Sequence, residues 1–334
     1  GHTESKGGRY SDEIGQTAVC AGGKLMIRAP AGRLPSAAQY TSGDRENTNV
    51  QGATPRAQKP LRHAIPLNPT HHRTARWFSR VNTCRLRAHT RFSTSPFLPL
   101  PVRLAIISDI HSNLEALQTA LRAIERVGVD RVYCLGDVVG YNANPVECMH
   151  LVQKHCDGVV VGNHDLAVAT GDGLGQLPPD AQKAALHNRK LLNESLRKEI
   201  ISWPERIDAH DCTFVHATPD APLAWKRINS FPAAKEQFDY FDTSVCFVGH
   251  THVPSVVSDR LGVLKVRPGH RFMINPGSIG QPRDTNPKLS FALYDSSSMQ
   301  YRNVRLDYDT ETTARKLKAA GLPDRLAKRL LEGA

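Results

Sequence analysis

From Val102 onward the chain repeats one local design: a short apolar run that stops abruptly at Asp, Asn or His. Leu104 to Ile107 leads through Ser108 to Asp109 and His111, and Val132 to Leu135 stops at Gly136 and Asp137. Gly158 to Val161 stops at Gly162, Asn163, His164 and Asp165; Thr213 to Val215 stops at His216; Val245 to Val248 stops at Gly249, His250, Thr251 and His252. Runs of this length suit buried strands, and a strand projects alternate side chains from one face, so pairs such as Asp109/His111 and His250/His252 point the same way. Glycine stands just before the polar residue at three of the five ends, where the backbone turns tightly or approaches something closely.

Helical segments separate these runs. Asn113 is an N-cap for a helix whose stripe is Leu114, Leu117, Leu121, Ile124 and Val127. A short helix is predicted from Pro145 to Lys154. A longer one is predicted from Pro178 to Ser202, on the period of Ala181, Ala184, Ala185, Leu191, Leu192, Leu196 and Ile200, and is stopped by Trp203 and Pro204. Alternating strands and helices predict an α/β fold, a sheet with parallel strands and helices outside. In such sheets ligands collect at the carboxyl ends of the strands. From Val245 onward strands follow with few helices between them, including Met273–Ile274 and Leu289 to Tyr294, which predicts a second sheet. The last twenty-five residues read as helical turns broken by Gly321 and Pro323.

The strand ends offer seven donors, Asp109, His111, Asp137, Asn163, His216, His250 and His252. One ion takes four to six donors, so seven suggest two divalent ions that share a carboxylate. Asp137 is the best bridge, being the single carboxylate at its strand end. Mixed imidazole and oxygen donors suit Mn, Fe, Zn or Co better than Ca, with Mn first. Two ions about 3.5 to 4 Å apart clamp an in-line displacement at phosphorus and lower the pKa of bound water, which makes hydroxide available.

These blocks, in this order, resemble the five-block signature of the calcineurin-like metallophosphoesterases over residues 102 to 295. The resemblance implies a four-layer αββα sandwich of two mixed β-sheets with a dimetal site at the strand ends. Carried over residue by residue, it implies that Asp109, His111, Asp137 and His252 hold one ion and Asp137, Asn163, His216 and His250 the other. It also implies that His164 is the general acid toward the leaving oxygen, hydrogen-bonded to Asp165, which fixes its tautomer. The serine/threonine phosphatase and diadenosine tetraphosphatase branches continue the second block with Asp-Arg-Gly and close the third with Glu. Here Asp137 is followed by Val138, and Asp165 closes the third block, so the closer likeness is to small bacterial phosphoesterases of the phosphodiesterase type. The glycine-rich stretch Asn275 to Arg283 is a candidate phosphate cradle through its amides and Arg283, and Tyr141 and Asn142 are candidate pocket residues.

The formal charge of +11 invites a nucleic-acid reading, but its distribution opposes it. Residues 1–101 hold fifteen Lys and Arg against five Asp and Glu, while residues 102–334 hold twenty-eight against twenty-seven. The first segment also holds nine of the twenty-two prolines and no sustained apolar period, and reads as a disordered basic extension. It has the composition of an organelle transit peptide without opening as one, and Val102, which an alternative bacterial start codon can encode, marks a possible true start. The domain proper is expected over 102–334. Seven scattered cysteines without a Cys-x-x-Cys pair read as reduced core residues of a cytoplasmic protein, and no stretch is apolar enough for a membrane span.

The expected activity is therefore hydrolysis of a small phosphorylated substrate, a phosphodiester before others and a nucleotide among the options. A phosphomonoesterase or a nucleotide or protein phosphatase is the alternative within the same chemistry. A metal-binding scaffold without catalysis is the alternative outside it; no specific nucleic-acid partner is expected, and the oligomeric state is left open.

Overall fold

The computed structural model describes residues 102–263 and 265–334; the expectations for residues 1–101 lie outside the described residues. The first sheet contains β1 (Arg103–Ile107), β2 (Arg131–Cys134) and the two-residue β3 (Gly158–Val159), all parallel. It is completed on the other side by antiparallel β9 (Leu289–Asp295) and β10 (Gln300–Leu306), in the order β10-β9-β1-β2-β3. The second sheet runs β4-β5-β6-β8-β7, from β4 (Arg206–Ala209), β5 (Cys212–Val215), β6 (Val245–Phe247), β7 (Ser255–Ser258) and β8 (Phe272–Asn275). Its strands β5, β6 and β8 are parallel, and its two edge strands are antiparallel to their neighbours.

The period-2 pattern of the apolar runs sorts side chains into layers. Leu104 and Ile106 of β1, with Phe214, Phe247, Phe272, Ile274 and Tyr294, fill the space between the sheets. Ala105 and Ile107 point the other way, onto α1 (Leu114–Val127) and α2 (Pro145–His155), through Leu117, Ile124 and Met149. Beyond the second sheet Val215, Cys246, Val248 and Met273 pack on Ala234 of α6 (Phe231–Gln237) and on Phe238 and Phe241. Helix, sheet, sheet and helix make the four-layer αββα architecture. Among the described residues no helix is long and apolar enough to cross a membrane, and Cys134, Cys148, Cys156, Cys212 and Cys246 are free thiols.

Two expectations are corrected. The second sheet begins at β4 and β5, well before Val245, while the run from Leu289 returns to the first sheet as β9. The helix expected over 178–202 is two, α4 (Pro179–Leu191) and α5 (Glu194–Ser202). Leu192 is extended, and the Asn193 side chain caps α5 by accepting from the Leu196 N–H, so a strong N-cap residue breaks an otherwise continuous period. The third polar block forms the first turn of α3 (Asn163–Thr170). At the carboxyl end of the chain α7 (Thr310–Ala319) and α8 (Asp324–Glu332) pack Leu317, Leu326 and Leu330 against Ala181 and Ala184 of α4 and against Tyr141.

Candidate metal centre

Three of the five strand ends deliver their polar residues by leaving the extended conformation. Asp109, His111, Asp137, His250 and His252 all adopt left-handed backbone, with φ between 50° and 64°. Non-glycine residues rarely sit there, at a cost of about 1–2 kcal/mol each, and such strain gathers at functional sites. The surrounding hydrogen bonds hold these turns. The amides of Asp109 and His111 donate to the carbonyls of Gly136 and Asp137, tying the β1 loop to the β2 loop. Gly162 closes on Asp137 so tightly that a Cβ would stand 2.2 Å from Asp137 Oδ1, so only glycine fits.

Two groups of donors result, Asp109, His111, Asp137 and His252, and Asp137, His216 and His250. All six residues are buried. Each carboxylate is anchored by one oxygen and aimed inward by the other. Asp109 Oδ2 accepts from Ser108 Oγ at 2.7 Å and from the His250 amide at 3.2 Å, while Oδ1 has no hydrogen-bond partner. Asp137 Oδ1 accepts from the His164 amide at 2.8 Å, and its Oδ2 lies 3.6 Å from His111 Nε2 and 3.4 Å from His216 Nε2, facing both groups. The imidazoles follow the same plan. Nδ1 of His111, His216 and His252 faces the carbonyls of Val139 (3.1 Å), Leu135 (2.7 Å) and Gln281 (2.6 Å). A carbonyl only accepts, so each Nδ1 carries a proton, and the neutral rings of His111 and His252, held well below the usual histidine range by burial, turn an Nε2 lone pair toward the centre.

That tautomer assignment makes the fit to cations testable within the structure. His111 Nε2 and His252 Nε2 stand 3.1 Å apart, two lone pairs in contact with no proton to share. Asp109 Oδ1 is 3.3 Å from His252 Nε2 and 3.9 Å from His111 Nε2. Ligands held about 2.0–2.2 Å from one ion are separated by roughly 3 Å or a little more, so these spacings suit donors on a common divalent cation. Asn163 Oδ1 and His250 Nε2 are also buried without partners. Electrostatics agree. Burial alone would push the Asp137 carboxyl up, but His216 and His164 outweigh it and hold it well below the usual range. Burial likewise pushes His216 down, and the Asp137 carboxylate with its hydrogen bond reverses this, to about 9. Asp109 is raised to about 6 by burial and by Asp137. Burial holds His250 down at about 3, so among the donor imidazoles it is His216, beside Asp137, that takes up positive charge.

The other expected residues divide. The ring of His164 lies 4.8 Å from that of His111 and 4.6 Å from that of Tyr141, beside the donors. Its hydrogen bond to Asp165 is absent: Asp165 accepts from the amides of Val139 (3.1 Å) and Gly162 (3.0 Å), and His164 Nδ1 has no partner. The reason is the helix start, since the third residue of α3 folds back on the N-cap amide in a capping-box arrangement. Asn142 spends its Nδ2 on the His111 carbonyl at 2.9 Å and supports the β1 loop. The glycine-rich turn is also support rather than a phosphate cradle. Its amides at Ile279 and Gly280 donate to the carbonyls of Ser108 and Asp109, and those at Gly277 and Gln281 to Asn275 Oδ1 and Ser278 Oγ. Arg283 leaves that turn toward Tyr141, donating to its hydroxyl at 3.2 Å.

Three contributors escaped the sequence reading. Asn188 accepts from Ser112 Oγ (2.6 Å) and the Gly140 amide (2.7 Å) and donates to the Asn142 carbonyl (2.8 Å), knitting the β1 and β2 loops together. Its signal was available: it continues the buried stripe of Ala181, Ala184 and Ala185, where a polar residue needs a reason. Trp225, with its ring 5.9 Å from that of His216, and Arg227, whose charge bears on His164 and His250, come from an irregular segment that carries no period.

Residues 102–299 match the model of the calcineurin-like phosphoesterase superfamily domain. The chain is 37% identical over 242 residues to the uncharacterized protein MJ0912 of Methanocaldococcus jannaschii, across 69% of this chain and 98% of that protein. It is similar to the crystal structure of a metallophosphoesterase from Sphaerobacter thermophilus, with 34% identity, 70% of this chain and all of that one covered, and a TM-score of 0.62. The hypothetical protein PH1004 of Pyrococcus horikoshii shares the fold, at 20% identity and a TM-score of 0.61, over 70% of this chain and 99% of that one.

Proposed function

Given that this chain belongs to the calcineurin-like phosphoesterase superfamily and is a metallophosphoesterase, we propose that it hydrolyses small phosphodiesters at a two-ion centre loaded with manganese. Asp109, His111, Asp137 and His252 hold one ion; Asp137, Asn163, His216 and His250 hold the other. The observation that carries the assignment is Asp137 Oδ2, one oxygen within reach of imidazoles from both donor groups. When bound, the two ions neutralise the phosphoryl oxygens and lower the pKa of water to near neutrality.

The chain's own residues do the rest. The anchored halves of each carboxylate and imidazole fix the donors before anything arrives, so little reorganisation accompanies binding. His164 hands a proton to the departing oxygen. Burial holds its imidazole low, at about 4, against the pull of Asp137; an anionic phosphoryl group alongside favours the charged ring in the same sense as Asp137. Diesters are preferred because Asp137 is followed by Val138 and Val139, leaving no arginine at that place to grip a second terminal oxygen of a monoester.

The test is turnover of an aryl phosphodiester and its matching monoester by the full chain, stripped of metal and reloaded with Mn²⁺. Asp137→Asn is expected to abolish turnover of both. His164→Ala is expected to lower kcat about 10²–10⁴-fold for an alkyl leaving group and far less for nitrophenolate, which leaves without a proton. Equal losses with the two leaving groups refute the general-acid role, and monoester turnover alone refutes the diester preference.

A further inference from the structure

Trp225 stands beside the donor cluster and belongs to no core. Its ring centroid is 5.9 Å from that of His216, with the two planes 73° apart. It takes no part in the four apolar clusters of the described residues, whereas Trp203 packs on the layer of Ala105, Ile107, Leu117 and Met149. Among the described residues no second aromatic ring meets the indole, and no guanidinium or ammonium lies over it. An edge-to-face pair occupies at most one face of either ring. Whichever ring supplies the edge, at least one indole face takes neither an aromatic nor a cation.

The backbone holds the indole there under strain. Trp225 follows a single 3₁₀ turn, Pro222–Ala224, with φ 54° and ψ 32°, a left-handed conformation that bulky residues avoid. No core packing offsets that strain. The turn is pinned from both sides instead: the Ala224 amide donates to the Ala221 carbonyl at 2.9 Å, and Lys226 pairs with Asp220. Asp220 Oδ1 accepts from Thr218 Oγ1 at 2.6 Å, and Ile228 packs on the layer of Val215 and Phe238. Strain of this kind, fixed by its surroundings, gathers where ligands are held.

Solvent reaches the centre from the side of the same donors. Asn163 is half-buried, and His250 and His164 keep 7% and 5% of their surface, while Asp109, His111 and His216 keep none. His216 and His250 are neighbours, with ring centroids 5.1 Å apart. Arg227, exposed two residues beyond Trp225, bears its charge on both His250 and His164. Trp225 thus flanks the open side of the centre.

We propose that Trp225 is a stacking platform for a planar aromatic group of the substrate, so that the phosphodiester is one that carries a nucleobase. The platform rests on reading the cluster as the phosphoester centre. The phosphate lies at the donors and the base on the free face of the indole. Base-bearing esters are selected over aliphatic ones, with little choice among bases, because every base has a π-face.

The experiment measures binding without turnover, by calorimetric titration of the Mn²⁺-loaded full chain. The probes are the methylenephosphonate isostere of adenosine 5′-monophosphate and that of methyl riboside 5-phosphate, which lacks the base; neither has a P–O bond to its sugar for the centre to cleave. The adenine compound is expected to bind about tenfold tighter, within the range of one base stacked on one aromatic side chain. Trp225→Leu is expected to bring that ratio close to one and Trp225→Phe to keep part of it, whereas loss of a merely structural tryptophan shifts both affinities alike. If Trp225→Leu fails to fold, Trp225→Gly, which suits the left-handed backbone, decides. Equal affinities in the parent chain, or a preference that survives in Trp225→Leu or Trp225→Gly, overturn the proposal, whether or not diesters are turned over. A preference lost in those variants, in a protein that turns over no diester, leaves the platform standing and removes the proposed activity.

Discussion

Gly280→Ala tests whether the β1 loop is held in place from behind. Gly280 donates its amide to the Asp109 carbonyl at 2.9 Å and accepts from Asn113 Nδ2 at 3.0 Å. A Cβ there would stand 1.8 Å from the Ile110 carbonyl oxygen, 2.6 Å from its carbon and 3.1 Å from Asn113 Cβ. The closest neighbours are backbone, which cannot rotate away. Restoring a van der Waals contact means parting the two loops by roughly 1.5 Å. That movement breaks both hydrogen bonds, at about 1 kcal/mol each, and adds an overpacking cost of about 1–3 kcal/mol. A loss of about 3–5 kcal/mol lowers the melting temperature of a domain this size by about 10 °C. Displacing Asp109 by that much also weakens Mn²⁺ binding, read by titration of the stripped protein. Gly175→Ala is the control, since a Cβ there meets nothing within 4 Å. A Gly280→Ala protein that melts within about 2 °C of the parent and binds Mn²⁺ equally well refutes the argument.

Asn188→Ala strands Ser112 Oγ, the Gly140 amide and the Asn142 carbonyl in the interior, and is expected to cost about 3 kcal/mol by urea unfolding. Chelating the metal is expected to remove about 2.7 kcal/mol relative to Mn²⁺ at a hundred times its Kd, a drop of several degrees in a melting curve. Burial raises the Cys156 thiol to about 12. Because the folded value lies above the unfolded one, its contribution to stability is full below pH 9 and is lost as pH rises toward 12, read as a falling melting temperature over that range; alkylation by iodoacetamide at pH 8 is expected to be slower in the folded protein than in the unfolded one.

The strand ends were legible because burial and chemistry coincide there: an apolar run can end in Asp or His only where something receives them. Order along the chain then stood in for order in space, since parallel strands deliver their carboxyl ends to one edge. What was not legible depended on where side-chain hydrogen bonds go. Asp165 follows His164 directly, yet the Gly162 amide at the helix start and the Val139 amide of the β2 loop claim its two oxygens. The amides of Gly277, Ile279, Gly280 and Gln281 look free in sequence and are used by the loop after β1 and by their own turn. Asn193 splits a helix whose apolar period runs on unbroken. The return of β9 to the first sheet is a pairing decision between distant segments, Leu104 with Tyr294, that no local pattern encodes.

The donors are not drawn from one sheet. Asp109, His111, Asp137 and Asn163 follow strands of the first sheet, whereas His216, His250 and His252 follow strands of the second. Bound cations would rivet the two halves of the sandwich at one rim, leaving the aromatic interior between them to hold the rest. Loading should then slow amide exchange on both sides of the seam, at β1 and β6 alike, while the far edge strands β10 and β7 exchange as before. A catalytic centre so arranged doubles as a fastener, and the enzyme's resistance to unfolding tracks the supply of its ions.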